Sequence, residues 1–329
     1  MCFMAASLQA FVYHRPCVQA PSRGSACSLF MQFIFQGSPA VALDNFQVLS
    51  EHRCFQGVQR FCVHDSSVIG LPMRFSVYVP PQAAEGPVPV LMYLAGLTCT
   101  EETFMIKGGA QRLAAQYGML LIAPDTSPRG AGVPGEDDHW DFGTGAGFYL
   151  DAVQEPWRTH YRMESWIMQE LLPGVLARFP GDARRVGIFG HSMGGHGALV
   201  LALRHPDRFR SVSAFAPIAA PSRCPWGEKA FGGYLGPDRQ VWAEHDATLL
   251  MERMSCPFPQ GILVDQGLAD NFLDAQLHPH LFEAACAQAG QPLVLRRHEG
   301  YDHGYYFIST FMEDHLAFHA ERLASVQAG

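Results

Sequence analysis

The sequence lacks the features that mark membrane, secreted and nucleic-acid-binding proteins. Proline or charged residues interrupt every apolar run well before the roughly 20 residues that a transmembrane helix needs. Its nine cysteines include no C-x-x-C pair, which favours reduced thiols over disulfides or a zinc site. Lysine and arginine total 23 against 31 aspartates and glutamates, a net charge of −8 without any basic run. We therefore expect a soluble protein in a reducing compartment, with neither nucleic acid nor membrane as a partner.

Residues 1–44 differ in composition from the rest of the chain. They contain a Pro/Ser/Arg/Gly patch, a short apolar run at 29–35 and no acidic residue before Asp44. A secretory signal would need a longer apolar region with basic residues directly before it, whereas the shortage of acidic residues would suit an organelle-targeting sequence. We expect a disordered extension here, with the two targeting sequences as alternatives.

From Asn45 onward, strand and helix patterns alternate. Continuous apolar runs at 88–94 and 119–123 are typical of parallel strands covered on both faces, and 58–64 with 73–79 predict an antiparallel pair at the sheet edge. Helical patterns follow at 101–117, 163–179, 194–205, 247–254, 272–289 and 305–322. We predict one α/β domain over residues 45–322, a mostly parallel doubly wound sheet with helices on both faces, followed by a tail at 323–329. The irregular stretches 125–160 and 217–245 are expected to form the substrate wall.

A G-x-S-x-G motif occupies residues 190–194, between a strand pattern at 186–189 and a helix pattern from 194. Such a serine lies on a strained strand-to-helix turn, and small flanking residues leave room for it. This context predicts an α/β-hydrolase fold, with Ser192 as nucleophile and the backbone N–H of Met193 as an oxyanion donor. Until partners for Ser192 are found, a glycine-rich turn with a capping serine is the alternative.

Two aspartates and two histidines are candidates for the acid and the base that would activate Ser192. All four follow the serine in the chain, in the order serine, acid, histidine of this fold. Asp265 ends a strand pattern and Asp270 lies farther along the following loop; His298 ends the last strand pattern and His303 lies at the tip of the next loop. We favour Asp270 and His303, because residues beyond the strand ends can reach over the sheet edge. His303 would accept the serine proton, and Asp270 would hold the other ring nitrogen.

The loop after an early strand normally supplies the second oxyanion donor. Gly96 allows close approach there, so we predict the Leu97 N–H as that donor. Cys99 lies close enough to be detected by thiol reagents, but we expect a buried inert thiol. Cys99, Lys107, Arg129 and Trp140 are candidate substrate contacts, with solvated surface as the more common state of the two cations.

Nothing in the sequence predicts a metal or another cofactor. Asp137, Asp138 and His139 lack a second ligand cluster of matching spacing, and Gly108-Gly109 is not followed by the Lys-Ser/Thr of a phosphate loop. His315 and His319 have a ligand-compatible spacing of four, but we expect them to face solvent.

Several long motifs resemble the S-formylglutathione hydrolase family, also called the esterase D family. The resemblance covers about residues 45–322 and is carried by Asn45-Phe46, Ser50-Glu51-His52-Arg53-Cys54-Phe55, Gly96-Leu97-Thr98-Cys99-Thr100-Glu101-Glu102, Ile106-Lys107-Gly108-Gly109-Ala110, Ala123-Pro124-Asp125-Thr126-Ser127-Pro128-Arg129-Gly130, Gly143-Thr144-Gly145-Ala146-Gly147-Phe148-Tyr149, Gly190-His191-Ser192-Met193-Gly194-Gly195-His196-Gly197, Asp265-Gln266-Gly267 and Tyr301-Asp302-His303. By position, the family's nucleophile, acid and base fall on Ser192, Asp270 and His303, and its oxyanion donors on Leu97 and Met193.

The resemblance implies hydrolysis of S-formylglutathione to glutathione and formate by a cytosolic, often homodimeric enzyme without metal. The sequence departs from the family pattern at residues 1–44, which have no counterpart, at Gly304 and at Ala95, where serine is common. Two other functions are open: a broad-specificity short-chain carboxylesterase that uses the same residues, and a catalytically silent binding protein.

Overall fold

A nine-stranded sheet organises residues 43–324, the part of the chain that the computed structural model describes. Its strands lie in the order β1-β2-β3-β5-β4-β6-β7-β8-β9. Pairing is antiparallel from β1 to β3 and between β3 and β5, and parallel elsewhere, which confirms the predicted mostly parallel fold with an antiparallel N-terminal edge. The strands are β1 (Asp44–Cys54), β2 (Gly57–Asp65), β3 (Pro72–Val79), β4 (Val88–Leu94), β5 (Leu120–Pro124), β6 (Gly181–His191), β7 (Ser211–Phe215), β8 (Ile262–Gly267) and β9 (Leu293–His298).

The helices connect these strands and cover the sheet. They are α1 (Glu101–Lys107), α2 (Ala110–Tyr117), α3 (Met163–Ser165), α4 (Leu172–Arg178), α5 (Met193–Arg204), α6 (Pro225–Tyr234), α7 (Arg239–Trp242), α8 (Ala247–Met251), α9 (Pro279–Gln288) and α10 (Tyr305–Ala324). A π-helical segment, Trp166–Leu171, joins α3 to α4, and a second one, Leu273–Leu277, precedes α9. Within residues 43–324 no helix is both long and apolar enough to cross a membrane.

Two helices that the sequence predicts as continuous are interrupted. The helix expected over 101–117 breaks at Gly109, whose φ of 67° is left-handed and ends α1 before α2 begins. The helix expected over 272–289 breaks at His278, with φ of 49°, directly before Pro279. Proline cannot donate a backbone hydrogen bond and disfavours a helical conformation of the preceding residue.

Leu43 and Asp44, which the sequence assigns to the N-terminal extension, are part of the described fold. Leu43 is buried against α4, where a Cβ placed on Gly174 would come within 2.5 Å of its side chain. Asp44 then begins β1. The other residues of the predicted extension at 1–44, and of the tail at 323–329 beyond Ala324, fall outside the described residues.

The expectation that His315 and His319 face solvent is wrong. Both are fully buried between α10 and the sheet. Ser213 Oγ lies 2.8 Å from His315 Nδ1 and 2.8 Å from His319 Nε2, and Ser211 Oγ lies 2.6 Å from His319 Nδ1. His315 Nε2 in turn lies 3.2 Å from a carboxylate oxygen of Asp265. Two small serines on β7 thus allow the imidazoles to lie beneath the sheet with their nitrogens paired, and no group of metal-ligating side chains occurs among residues 43–324.

Buried histidines should make the fold sensitive to acid. Burial lowers the pKa of His196 to about 3 and that of His245 to about 4, whereas the unfolded chain protonates near 6.5. Below that pH the unfolded state takes up protons that the native state does not, so this stabilisation is complete above about pH 6.5 and is lost as the pH falls. Each histidine contributes a slope of at most about 1.4 kcal/mol per pH unit.

We therefore expect the free energy of unfolding, measured by urea titration, to fall between pH 6.5 and 4.5. Glu101 has the opposite effect on the free energy of unfolding over the same range. Burial raises its pKa to about 7, so here the native state takes up the proton first, and this cancels the contribution of one of the two histidines. A His245→Phe variant should show a slope that is shallower by about one proton. Equal slopes in the two proteins would contradict the assignment to His245.

Candidate active site

Ser192 lies at the sharp turn between β6 and α5. Its φ of 57° and ψ of −119° are rare for a residue with a side chain. The turn is tied to β7 by the Ser192 N–H, which donates to the Phe215 carbonyl at 3.0 Å. Close packing explains the flanking glycines: a Cβ on Gly194 would lie 2.0 Å from the Leu94 carbonyl oxygen, and one on Gly190 would lie 2.2 Å from the carbonyl oxygen of Gly194.

Asp270 and His303 meet above the carboxyl end of the sheet. Asp270 follows β8 and His303 follows β9, and His303 Nδ1 lies 2.6 Å from Asp270 Oδ2. The carboxylate also accepts a hydrogen bond from the Phe272 N–H at 2.8 Å and one from Gln266 Nε2 at 3.2 Å. A carboxylate only accepts, so Nδ1 carries the proton and Nε2 of a neutral imidazole is left as the acceptor.

Asp265 and His298, the two alternatives, lie in a different cluster. Arg296 donates to both carboxylate oxygens of Asp265, at 2.6 and 2.5 Å, and His298 Nε2 lies 3.3 Å from one of them. Burial favours a raised pKa of Asp265, but hydrogen bonds from His315 and Arg296 outweigh it and hold that pKa well below its usual range. The two aspartates thus lie beside different histidines, and of His298 and His303 only His303 lines the cavity at Ser192.

A small, mostly apolar cavity of about 160 Å³ holds these groups. Aromatic rings form one wall: Trp226 contacts Trp140 with ring centroids 5.7 Å apart and Phe272 at 4.7 Å, and Phe272 meets His303 edge-on at 5.0 Å. An apolar lining lowers the local dielectric constant and so strengthens electrostatic interactions inside the cavity. The residues around this active-site cavity are Gly96, Leu97, Cys99, Trp140, His191, Ser192, Trp226, Phe272, His303 and Tyr305.

The predicted oxyanion loop packs directly against the serine turn. A Cβ on Gly96 would lie 3.2 Å from Ser192 Cβ and 3.2 Å from His191 Nδ1, so a side chain here would push the loop and the serine turn apart by a few tenths of an ångström. The Tyr149 hydroxyl donates to the Ala95 carbonyl at 2.8 Å and fixes the start of the loop. Met193 is the first residue of α5, and the first N–H groups of a helix have no intrahelical partner.

His191 is a cavity residue that sequence reasoning missed. Its ring is fully buried and lies 4.4 Å from that of His303, and neither of its nitrogens has a hydrogen-bond partner among the described residues. Burial, together with the neighbouring His303, lowers the pKa of His191 far below its ordinary value. A neutral imidazole therefore lies against the predicted base. Trp226, Phe272 and Tyr305 were also missed; position 226 falls in the stretch 217–245 that was predicted to form the substrate wall.

The predicted substrate contacts fall in different places. Cys99 lines the cavity, and burial raises the pKa of its thiol; Trp140 lies at the rim with 57% of its surface exposed. Arg129 does not line the cavity; it donates to both carboxylate oxygens of Asp125, at 2.7 and 2.8 Å, and to the Cys99 carbonyl at 3.1 Å, which braces the oxyanion loop. Lys107 lies in an adjoining groove.

Gly304 lies between His303 and Tyr305, the first residue of α10. Its N–H donates to Asp302 Oδ1 at 2.8 Å, and a Cβ at this position would lie 3.2 Å from the same oxygen. The glycine thus closes a tight turn directly beside the predicted base.

Comparison with known proteins identifies the family. A family model described as "Putative esterase" matches residues 66–318. S-formylglutathione hydrolase from Rattus norvegicus is 52% identical over 276 residues, and that from Paracoccus denitrificans (strain Pd 1222) is 51% identical over 278 residues; each alignment covers 84% of this chain and 98% of the relative. The solved S-formylglutathione hydrolase from Agrobacterium tumefaciens superposes with a TM-score of 0.82 at 50% identity, covering 84% of this chain and 99% of that one. The chain is therefore a hydrolase that belongs to the S-formylglutathione hydrolase family of esterases.

Proposed function

We propose that this protein hydrolyses the thioester S-formylglutathione to glutathione and formate, with Ser192, His303 and Asp270 as catalytic residues. One observation carries the proposal: His303 Nδ1 lies 2.6 Å from Asp270 in the wall of a cavity that Ser192 also lines. The names of relatives that share about half of their residues with this chain support the substrate.

In the first half-reaction, Ser192 Oγ attacks the formyl carbon while His303 Nε2 takes its proton. The negative charge that develops on the carbonyl oxygen is stabilised by the N–H groups of Leu97 and Met193. The carbon–sulfur bond then breaks, and the leaving thiolate takes the proton from His303. Asp270 stabilises the imidazolium that forms in between.

Water releases the formyl group in the second half-reaction. It gives a proton to His303 as it attacks the formyl ester, the carbon–Oγ bond breaks, and Ser192 recovers that proton. Formic acid leaves and ionises to formate, which returns the enzyme to its starting state. The small cavity suits an acyl group without a carbon chain.

The purified full-length protein should have a kcat/KM for S-formylglutathione at least about 100-fold above that for 4-nitrophenyl acetate. Both values come from continuous absorbance assays on the same preparation. A ratio near one would favour a broad-specificity carboxylesterase. Failure to turn over either substrate, together with no labelling by a fluorophosphonate, would indicate a silent binding protein.

A cytoplasmic location belongs to the same proposal. The six cysteines among the described residues are all free thiols, as expected in a reducing compartment. The homodimer that the resemblance implies stays a prediction.

A further inference from the structure

A second depression adjoins the active-site cavity. It has a volume of about 470 Å³ and is lined by Lys107, Tyr305, Tyr306 and Ser309. Lys107 is the last residue of α1, and the other three lie on the first turns of α10. Tyr305 also lines the active-site cavity, so the two spaces share one wall. We call this depression the Lys107 groove.

The Lys107 groove carries an uncompensated positive charge. The Lys107 ammonium lies 5.9 Å from the centre of the Tyr305 ring, and within residues 43–324 it forms no ion pair with a carboxylate. Glu313, farther along α10, is paired with Arg112 at 3.7 Å. An anionic group on a ligand would therefore be the first carboxylate to pair with this lysine.

The other side of the cavity has no such charge. We call the side of the cavity that Trp140 and Trp226 form the tryptophan rim. Lys229 lies three residues after Trp226 on α6 and forms an ion pair with Asp141 at 2.5 Å, so the two charges compensate each other. Lys107 and Lys229 are the only lysines in the sequence. A ligand could extend from the active-site cavity toward either lysine. Only Lys107 has no carboxylate partner among residues 43–324, so only the groove offers a cation to an anionic ligand.

Exposed apolar surface borders the groove. Tyr306 has 88% of its surface exposed and Ile106 has 69%; they flank Tyr305 and Lys107 in the sequence. Large apolar side chains with this exposure offer a surface on which a short peptide can lie.

We infer that the Lys107 groove binds the peptide part of the thiol leaving group, with Lys107 receiving one of its carboxylates. This inference rests on the proposed function: a cavity of about 160 Å³ holds the reacting thioester but not a tripeptide, so the peptide must lie outside it. Glutathione carries two carboxylates and one ammonium group, a net negative charge that matches the groove and not the neutral tryptophan rim. Tyr305 joins the reacting centre to the lysine.

A Lys107→Gln variant should raise KM for S-formylglutathione about three- to tenfold with kcat little changed, because an exposed ion pair contributes modestly and equally to ground and transition states. The loss should disappear with the S-formyl derivative of glutathione diethyl ester, which has no carboxylates. Lys107→Arg should restore most of the binding. Lys229→Gln is the matched control and should not lower the preference for the free acid over the diester.

Ionic strength supplies an independent measurement. Salt screens exposed charges, so KM of the wild type for S-formylglutathione should rise between about 0.05 and about 0.5 M NaCl, while KM of Lys107→Gln stays nearly constant.

The outcomes separate the two proposals. If the wild type does not hydrolyse S-formylglutathione, the proposed function fails, and the groove assignment fails with it. If the wild type is active but Lys107→Gln treats the free acid and the diester as the wild type does, only the groove assignment is overturned.

Discussion

Replacement of Ser192 by alanine is expected to lower kcat for S-formylglutathione by about 10⁵-fold or more, because no acyl-enzyme can form. The substitution removes one buried oxygen atom and leaves the Asp270–His303 contact in place. Steady-state turnover at saturating substrate and the loss of labelling by a fluorophosphonate would both report it. The residual rate measures what the oxyanion donors supply without a nucleophile.

Ser213 offers a matched control for this experiment. Like Ser192 it is buried, and its hydroxyl is hydrogen-bonded to His315, which in turn contacts Asp265, so the core contains a second set of the same three residue types. Ser213→Ala should lower the free energy of unfolding by about 1 kcal/mol and leave kcat nearly unchanged. Activity of Ser192→Ala within tenfold of the wild type would exclude Ser192 as the nucleophile.

Asp270→Asn should lower kcat by about 10³- to 10⁴-fold. The Phe272 N–H donates to Oδ1 of Asp270, so the asparagine side chain should keep its oxygen there and turn its NH₂ group toward His303 Nδ1. The imidazole would then accept at Nδ1 and carry its proton on Nε2, the wrong tautomer for a general base. Because the side-chain shape is conserved, we expect the variant to fold.

Asp265→Asn is the matched control, since it makes the same chemical change five positions earlier. It breaks the bidentate contact with Arg296 and the contact with His315, and loss of one partner from a buried ion pair costs about 3–5 kcal/mol. The melting temperature should therefore fall, while kcat per active site, counted by fluorophosphonate titration, should be retained. Equal losses of kcat in the two variants would contradict the choice of Asp270.

The sequence could locate the strand ends but could not by itself distinguish the two aspartates. Asp265 ends the β8 pattern and Asp270 lies five residues farther on, and the preference for Asp270 rested on reach along the loop. In the structure, contacts between distant parts of the chain separate them: Arg296 of β9 holds Asp265 below the strand ends, whereas the Phe272 amide and Gln266 hold Asp270 beside His303. The catalytic roles of these residues stay predictions.

Three other features of the fold have sequence patterns that are too weak to predict them. β1 (Asp44–Cys54) is largely exposed along its length, so it lacks the apolar alternation by which a strand is predicted. α6 (Pro225–Tyr234) lies in a stretch rich in glycine and proline and was taken as a loop; its N-terminus is capped by Cys224, an unusual residue for this position. His315 and His319 were misplaced because the serines that pair with them lie about 100 residues earlier.

The left-handed backbone at residue 192 also bears on how this protein can change. Glycine would occupy that conformation at lower energetic cost than serine, so selection for heat resistance alone would replace the hydroxyl-bearing residue. A serine at this position therefore lowers the stability of the fold and supplies the reactive hydroxyl in exchange. In descendants of this protein that no longer need its hydrolytic activity, we therefore expect substitutions to appear first at residue 192.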